Sequence, residues 1–284
     1  MPGVQGMFVA NLLENRVLLV TGGGSGLGES MAASFCRLGG LVAILGRNEE
    51  RLGAALPRID PSGERSFAVV ADVRNAGAVD EAVARITARF GRIDVLVNNA
   101  AGNFLAATEE LSPNGFDAIV RTVLHGTFHC TRAVAPQMLD RRSGVILNIV
   151  ATYAWTGSAF VVPSAAAKAG VLAMTRSLAV EWADRGVRVN AIAPGPFPTE
   201  GAWSRLMPTP ESEAHALGRV PAGRFGHHEE LCNLAVFLVS DAAPYITGEV
   251  VTIDGGEWLA SGGQFSGLAK VPGADLKELM KRAR

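Results

Sequence analysis

The stretch TYAWTGSAFVVPSAAAK carries three side chains suited to proton transfer and to the stabilisation of charge: Tyr153, Ser164 and Lys168. Ser164 and Lys168 are four residues apart, a spacing that places two side chains on one face of a helix. A phenol, with a pKa near about 10, is a far better donor than a serine hydroxyl. The chain has only one other tyrosine, Tyr245, so chemistry that needs a phenol depends on one of these two residues.

The stretch TGGGSGLGES has the spacing of a phosphate-binding loop. Gly22, Gly26 and Gly28 follow an apolar run and open a helical pattern. This arrangement allows a tight turn, close approach of the backbone to a pyrophosphate and close packing of helix on strand. The first amides of such a helix also bind anions. We therefore predict a dinucleotide site here, with a plain glycine turn as the alternative.

The end of the second apolar run indicates which dinucleotide binds. An NAD site usually has an acid there to accept the ribose hydroxyls, whereas this chain has Arg47 followed by Asn48. A guanidinium group suits the 2′-phosphate of NADP, with Ser25 as a second candidate contact. We predict NADPH as the cofactor; a solvated surface arginine is the alternative. After the third run, Asp72 is expected to accept a hydrogen bond from the adenine amino group.

Seven short apolar runs alternate with longer helical patterns, which favours an α/β domain whose parallel sheet is covered on both faces. Ligands bind such a sheet outside the carboxyl ends of its strands, where the motifs above lie. No repeat or low-complexity linker divides the chain. The predicted strands are Arg16–Thr21, Leu41–Gly46, Ser66–Asp72, Arg92–Asn99, Gly144–Val150, Val187–Ala193 and Glu249–Asp254.

Composition and charge argue against several other classes of protein. Net charge is −1 over 284 residues, so no basic surplus indicates a nucleic-acid partner. Cys36, Cys130 and Cys232 are scattered and fit buried thiols better than disulfides or a zinc site. The N-terminus lacks the pattern of a signal or transit peptide, and no apolar run reaches membrane-spanning length. We expect a cytoplasmic protein without membrane insertion.

Five motifs in order, TGGGSGLG, ADV, NNAAG, Lys168 and PGPFPT, make residues 16–256 resemble the short-chain dehydrogenase/reductase family. The resemblance implies a single Rossmann-type, doubly wound domain over residues 1–284, with a mostly parallel seven-stranded sheet, a nicotinamide cofactor and a homotetramer. The residues expected to contact the cofactor are Gly22, Ser25, Gly26, Leu27, Gly28, Arg47, Asn48, Asp72, Val73, Asn99, Ala100, Lys168, Pro194, Gly195 and Thr199.

The chain departs from the family pattern at three catalytic positions. The family's serine, tyrosine and helix asparagine are replaced by Ala151, Ser164 and His125, so that only Lys168 remains. Because a serine hydroxyl is a poor acid, this pattern argues against ordinary alcohol–ketone redox.

Two stretches, NNAAGNF and YAWTGSAFVVPSAAAKAG, resemble the 2,4-dienoyl-CoA reductases of this family, most nearly the mitochondrial type. The resemblance carries over Asn103, Tyr153, Ser164 and Lys168 as catalytic residues. It implies hydride transfer to C5 of a dienoyl thioester and a proton that reaches C4. Asn103 and Tyr153 would donate to the thioester oxygen of the dienolate. Lys168 would bind the cofactor ribose, and Ser164 would steady that lysine or the nicotinamide.

Each of these four assignments has a structural alternative: a surface tyrosine, a turn-capping asparagine, a solvated helix lysine and a helix-start serine without a catalytic part. Two histidine pairs are further candidates for metal ligands. His125 and His129 lie four residues apart, and HHEE begins with His227 and His228, but neither pair has an evident third ligand. Packing and a polar helix start are the preferred interpretations, and no metal is predicted.

Residues 199–220 are predicted to form a substrate lid over an apolar acyl chain, with a surface helix pair as the alternative. Trp203, Leu206 and Met207 supply its apolar side chains. Residues 263–284 resemble a tail that ends in a short basic helix. Candidates for binding the coenzyme A phosphates are Arg205, Arg219 and Arg224.

The hypothesis from sequence is an NADPH-dependent reductase that converts 2,4-dienoyl-CoA to enoyl-CoA in the degradation of unsaturated fatty acids. One alternative is a short-chain reductase that acts on a different activated alkene or carbonyl. Another is a non-catalytic NADP-binding sensor or assembly protein.

Overall fold

The computed structural model describes residues 8–199, 203, 207 and 209–282. At its centre is a seven-stranded sheet of order β3-β2-β1-β4-β5-β6-β7. Each neighbouring pair is parallel, so the predicted parallel sheet is confirmed without an antiparallel edge. The strands are β1 Val17–Thr21, β2 Leu41–Gly46, β3 Ser66–Val70, β4 Val95–Asn98, β5 Gly144–Ile149, β6 Val187–Pro194 and β7 Val250–Ile253.

Helices connect the strands and cover both faces of the sheet, as a parallel sheet requires. A π-helical turn, Arg121–His125, joins two of them and contains His125. The α-helices are α1 Gly26–Arg37, α2 Glu49–Ile59, α3 Ala76–Phe90, α4 Pro113–Val120, α5 Gly126–Asp140, α6 Tyr153–Thr156, α7 Val162–Trp182, α8 Pro210–Gly218, α9 His228–Val239, α10 Glu257–Gly262 and α11 Gly273–Arg282. No helix within the described residues is both long and apolar enough to cross a membrane.

The apolar core has one large cluster on each face of the sheet and a third, smaller cluster that joins α4 and α7 to β6. One cluster packs α1, α2 and α9 against the strands, and includes Phe35, Leu52 and Leu231. The other packs α3, α5 and α7 against the opposite face, and includes Ile86 and Val134. Burial of each large aliphatic or aromatic side chain contributes about 1.5–3 kcal/mol. Strands β1, β4 and β5 are buried along their whole length, which explains their largely apolar runs.

The seven predicted strands are all present, but their ends differ by up to three residues. The fourth was predicted from Arg92 and begins at Val95. The Asp94 carboxylate lies at the start of this run. It accepts hydrogen bonds from the Val17 N–H at 2.9 Å and from Arg92 at 3.0 Å. The backbone of Asp94 keeps its ladder bonds to Val17 and Val145, at 2.9 and 3.0 Å, so main-chain pairing of this run begins at Asp94.

Strand order reverses between β1 and β4, which are neighbours in the sheet although β2 and β3 lie between them in sequence. Helices at such a reversal leave a crevice outside the carboxyl ends of the strands. The glycine loop follows β1, the segment with Asn103 follows β4, and Tyr153 follows β5. The sheet therefore brings the three predicted functional segments to one edge.

Candidate active site

Asn103 and Tyr153 occupy equivalent places beyond two adjacent strands. Asn98 in β4 is in register with Asn148 in β5, and each predicted catalytic residue lies five positions after its strand partner. The carboxyl ends of neighbouring parallel strands share one edge of the sheet. Their register thus places the carboxamide and the phenol on adjacent connections above the same crevice.

A backbone contact joins these two connections. The Ala106 N–H donates to the Phe160 oxygen at 2.9 Å. Phe160 has φ of 64°, a left-handed conformation that is costly for a bulky side chain, and its ring is 60% exposed. Leu105, which precedes Ala106, is 51% exposed, so each of the two connections carries an exposed apolar side chain.

The phenol of Tyr153 is turned inwards. Its hydroxyl lies 3.0 Å from Oγ of Ser164, which is only 1% exposed. Burial raises the pKa of Tyr153, and the hydrogen bond with Ser164 opposes part of that rise. The phenol therefore stays protonated at neutral pH and can donate a hydrogen bond. The alternative of a solvent-facing surface tyrosine does not describe this geometry.

Ser164 has a different partner from the one expected. We expected it to steady Lys168 or the nicotinamide, but its hydrogen bond in the structure is to the hydroxyl of Tyr153. No bond between Ser164 and Lys168 occurs within the described part of the chain. The reason is local: Ser164 stands in the first turn of α7 and faces α6, the single turn of helix that begins at Tyr153.

Lys168 is buried one helical turn further along α7. Its side chain is 7% exposed, and Nζ donates to the backbone oxygen of Ile149, the last residue of β5. Burial lowers the pKa of Lys168 to about 8. At pH 7 the amine is still mostly charged, so an ammonium group lies under the crevice. The alternative of a solvated helix lysine is wrong.

Asn103 is half-buried and held by its own turn. Its Oδ1 accepts the backbone N–H of Phe104 at 3.0 Å, which leaves the amide hydrogens of Nδ2 as its available donors. Turn capping thus uses Oδ1 of Asn103, whereas the donor role would use Nδ2, so the two roles are compatible. Capping orients the side chain, and the amide nitrogen remains the group that can act on an oxyanion.

The glycine loop has the geometry that a pyrophosphate requires. Gly22 and Gly26 have φ of 65° and 56°, which glycine adopts without strain. A Cβ on Gly28 would lie 2.4 Å from the Gly22 oxygen, so only glycine fits there. Ser25 precedes α1 but makes no side-chain cap. The first amides of α1 are thus left for an anion, and the loop fits a dinucleotide.

The side chains of Thr21 and Asn99 support the glycine loop through hydrogen bonds. Of the two, only Asn99 is predicted from the sequence as a cofactor residue. The Thr21 Oγ1 accepts the N–H groups of Asn99 and Ala100, each at 3.0 Å. The Asn99 side chain donates to the Thr21 and Gly22 oxygens at 3.0 and 3.3 Å. Its carboxamide therefore supports the glycine turn, while Ala100 lies next to Gly22.

At the adenine end the charged groups are more exposed. Asp72 accepts a hydrogen bond from Arg74 at 2.6 Å, a partner missed from sequence. The pKa of Asp72 is lowered, mainly by the Arg74 hydrogen bonds and to a lesser degree by the charge of Arg47. Arg47 itself is exposed. Asn48 uses Oδ1 to cap α2 through the Arg51 N–H at 2.7 Å, so its amide hydrogens are the part left for a ligand.

The loop after β6 lies against the glycine loop. A Cβ on Gly26 would lie 3.3 Å from Cγ2 of Thr199, and one on Gly195 would lie 2.5 Å from Asp254. Pro194 ends β6, and close packing fixes the path of the chain from there to Thr199. The structure thus brings these three predicted cofactor residues to the same side of the crevice as Gly26.

The predicted lid lies partly outside the described residues, including Leu206 and Arg205. Within the described part, the Trp203 ring packs edge-on against Phe225 with centroids 4.8 Å apart. The other two coenzyme A candidates are paired with acids: Arg219 with Glu257 and Arg224 with Glu230, each at 2.6 Å. Neither pairing identifies a phosphate site.

An open pocket of about 460 Å³ lies beside the C-terminal end of the one-turn helix α6. It is lined by Thr156 and by residues of α10 and its C-terminal end, among them Trp258 and Leu259. The Trp155 and Trp258 rings meet edge to face, with centroids 5.6 Å apart. The lining is largely apolar, so this space suits a hydrocarbon chain rather than a charged group.

The histidines of the two pairs make hydrogen bonds and ring contacts within the fold. The ring of His129 bonds the Val73 oxygen through Nδ1 at 2.9 Å and lies edge-on to His125, with centroids 6.2 Å apart. His227 precedes α9 and forms a capping box with Glu230, which confirms the polar helix start. Among the described residues, no cluster of three or more metal-ligating side chains is present. The Val73 oxygen accepts a hydrogen bond from His129 and, as a carbonyl, has a second lone pair for another donor.

Comparison with known proteins adds independent findings. Residues 22–257 match a family model described as enoyl-(acyl carrier protein) reductase. A probable 2,4-dienoyl-CoA reductase, (2E)-enoyl-CoA-producing, from Bacillus subtilis is 45% identical over 87% of this chain and 98% of that protein. A probable 2,4-dienoyl-CoA reductase 3, (3E)-enoyl-CoA-producing, from Caenorhabditis elegans is 41% identical over 86% of this chain and 81% of that protein.

Solved structures agree on the fold. A short chain dehydrogenase from Bacillus anthracis is 43% identical, with a TM-score of 0.80 over 88% of this chain and 98% of its own. A gluconate 5-dehydrogenase from Burkholderia cenocepacia, in complex with NADP and tartrate, is 34% identical, with a TM-score of 0.82 over 87% of this chain and 96% of its own.

Proposed function

Because this chain belongs to the short-chain dehydrogenase/reductase family, we propose that it reduces 2,4-dienoyl-CoA thioesters with NADPH. The chain is an oxidoreductase with a nicotinamide cofactor site. The observation that carries the finer proposal is the 3.0 Å hydrogen bond between the Tyr153 hydroxyl and Ser164, one turn before Lys168. Tyr153 on α6 thus brings a phenol next to Ser164 on α7, the position at which this family usually carries its tyrosine.

The proposed reaction places negative charge on the thioester oxygen. When bound, the nicotinamide supplies a hydride, which reaches C5 of the diene. Electrons of the conjugated chain then move onto the thioester oxygen to form a dienolate. Asn103 donates from its amide nitrogen and Tyr153 from its phenol to that oxygen. Each such donor in a site that excludes water lowers the barrier by about 3–4 kcal/mol.

Ser164 and Lys168 prepare the phenol and the cofactor for this step. The Ser164 O–H donates to the Tyr153 oxygen, so the phenol keeps its own hydrogen for the substrate. Hydrogen bonds in such a chain polarise one another and strengthen the terminal donor. The ammonium group of Lys168 lies at the end of β5, and its proposed role is to bind the cofactor ribose and stabilise a nearby anion.

The position of protonation decides the product. A proton at C4 leaves the C2–C3 double bond, whereas a proton at C2 leaves the C3–C4 double bond. The names of the two relatives above divide between these products. We propose C4, with water as the proton source, and identification of the enoyl-CoA product tests this choice.

The acyl chain and the cofactor phosphate have separate supporting features. The apolar pocket next to α6 is the proposed place for the end of the acyl chain beyond C5. The exposed Arg47 guanidinium, close enough to Asp72 to influence its pKa, is the proposed partner of the 2′-phosphate. Charge-assisted bonds of this kind are worth about 1.5–3 kcal/mol. NADPH should therefore bind about tenfold or more tightly than NADH.

A panel of thioesters tests the proposal directly. The purified protein is assayed with dienoyl-CoA, simple enoyl-CoA and β-ketoacyl-CoA, each with NADPH and with NADH, by loss of reduced-cofactor absorbance. Turnover of dienoyl-CoA with NADPH alone supports the proposal. Turnover of another thioester would favour a different short-chain reductase. Tight NADPH binding without turnover on any member would favour a cofactor-binding sensor or assembly protein.

A further inference from the structure

The sequence HHEE has no part in the chemistry above, yet its second histidine joins two segments of the cofactor site. The Nδ1 of His228 lies 2.8 Å from Oγ of Ser30 in α1. Its Nε2 lies 2.8 Å from the backbone oxygen of Pro198, in the loop that follows β6. The imidazole thus bridges the helix behind the glycine loop and the loop that carries Thr199.

The hydrogens of this bridge can be assigned from its acceptors. A carbonyl oxygen only accepts, so Nε2 carries the hydrogen that is shared with Pro198. In a neutral ring Nδ1 then accepts the hydroxyl hydrogen of Ser30. The same Oγ lies 3.0 Å from the Gly26 oxygen, so the single hydroxyl hydrogen is shared between Nδ1 and that oxygen. His228 is therefore linked to a hydroxyl that also contacts the glycine loop.

The segment held by His228 leads both to the cofactor and to the predicted lid. Pro198 is followed by Thr199, whose methyl carbon lies beside Gly26. The Thr199 oxygen accepts the N–H of Trp203 at 3.2 Å, where the predicted lid begins. A displacement of Pro198 would move Thr199 away from the loop that binds the pyrophosphate.

We propose that His228 is a positioning residue that clamps the Pro194–Thr199 loop onto α1 and thereby sets the affinity for the nicotinamide dinucleotide. It acts through Ser30 and Pro198 without touching the reacting atoms. The proposal goes beyond the proposed function, because it concerns cofactor binding whichever substrate is reduced.

The dissociation constant of NADPH, measured by cofactor fluorescence without substrate, tests the clamp. The His228→Phe variant keeps a planar ring and removes both hydrogen bonds, and should raise Kd about five- to thirtyfold. The His228→Gln variant keeps an amide donor near the position of Nε2 and should give an intermediate Kd. NADH is titrated in parallel, so that a failure of the predicted preference for NADPH can be distinguished from a failure of the clamp.

The adjacent histidine supplies a matched control. His227 is the N-cap residue of the same helix and has no hydrogen bond to Ser30 or Pro198, and serine is also a good N-cap residue. The His227→Ser variant should keep Kd within twofold of the parent. Once a substrate is known, the His228→Phe variant should raise KM for the cofactor and leave kcat within twofold.

A double-mutant cycle tests the route through Ser30. If the two side chains act as one unit, Ser30→Ala weakens binding, and the double variant with His228→Phe raises Kd by less than the product of the single effects. An unchanged Kd in His228→Phe, an equal loss in His227→Ser, or fully multiplicative effects would each overturn the clamp. Should His228→Phe fail to fold, an unchanged Kd in both Ser30→Ala and His228→Gln would overturn it equally.

Discussion

The two ends of the crevice are built by different means. At the cofactor end, backbone groups and close contacts fix the geometry: Gly28 leaves no room for a Cβ, and Thr21 binds two successive amides. At the substrate end, the proposed donors are side chains on short connections, Asn103 on a loop and Tyr153 on a single helical turn. Backbone geometry restricts which residues fit at the cofactor end. At the substrate end, by contrast, α6 can supply the phenol that α7 lacks.

Removal of the carboxamide should give one of the largest effects. The Asn103→Ala variant loses a donor to the thioester oxygen, and we expect kcat for dienoyl-CoA to fall about a hundred- to a thousandfold. Steady-state kinetics with saturating NADPH measures the fall. The exposed Asn114, on the nearby helix α4, gives the matched control Asn114→Ala, which should retain parental kcat. Equal activity in both variants would remove Asn103 from the mechanism.

The close contact at Gly28 allows a test of the cofactor end. In Gly28→Ala the added methyl would collide with the Gly22 oxygen, and overpacking of this kind costs about 1–3 kcal/mol. We expect Kd for NADPH to rise between about fivefold and a hundredfold. Gly53 in α2 has open space around its Cα, so Gly53→Ala should leave Kd unchanged. Tight binding by Gly28→Ala would show that the loop tolerates side chains.

The buried lysine predicts how activity depends on pH. Because the pKa of Lys168 is lowered to about 8, its charge is lost as pH rises through that value. If the ammonium group is needed, kcat should fall above about pH 8, approaching tenfold per pH unit. The Lys168→Met variant should be slow and should lack this fall. A parental profile that stays flat to pH 10 would contradict the role.

Linkage predicts a matching change in stability. The folded pKa of Lys168 lies below the usual value of 10.5, so between about pH 8 and 10.5 the unfolded chain binds more protons than the folded one. The free energy of unfolding should therefore rise with pH in this window, relative to Lys168→Met. Denaturant unfolding at several pH values measures the difference. A difference that falls with pH would contradict a pKa of Lys168 that burial has lowered.

A smaller effect is expected for the residue behind the phenol. The Ser164→Ala variant removes one hydrogen bond, worth about 1 kcal/mol, from Tyr153. We expect kcat to fall about fivefold while Kd for NADPH is kept. Ser158 lies exposed in the loop between α6 and α7, and Ser158→Ala provides the control. A loss of NADPH binding in Ser164→Ala would instead support the originally expected role near the nicotinamide.

The sequence predicted the seven strands and the glycine loop because both depend on local patterns. Continuous apolar runs indicate buried parallel strands, and the spacing of Gly22, Gly26 and Gly28 reflects backbone constraints. The partner of Ser164 could not be derived in this way. It depends on how α6 packs on α7, which no local spacing encodes.

Other contacts could not be predicted from the sequence either, because they depend on how distant segments pack. The clamp of His228 joins residues that are 198 positions apart in sequence, and the support of Asn99 by Thr21 crosses two neighbouring loops. Arg74, by contrast, lies two residues from Asp72 and could have been recognised as its ion-pair partner from sequence. Exposed charged pairs at such short range form readily.

The central claim is that Tyr153 has taken over the role of the missing phenol, and one comparison of variants tests it. The kcat for dienoyl-CoA and the Kd for NADPH are measured in Tyr153→Phe and in Tyr245→Phe, where the second tyrosine is fully exposed. We predict that Tyr153→Phe lowers kcat about a hundred- to a thousandfold with Kd kept within twofold, and that Tyr245→Phe changes neither. Near-parental turnover by Tyr153→Phe would contradict the account.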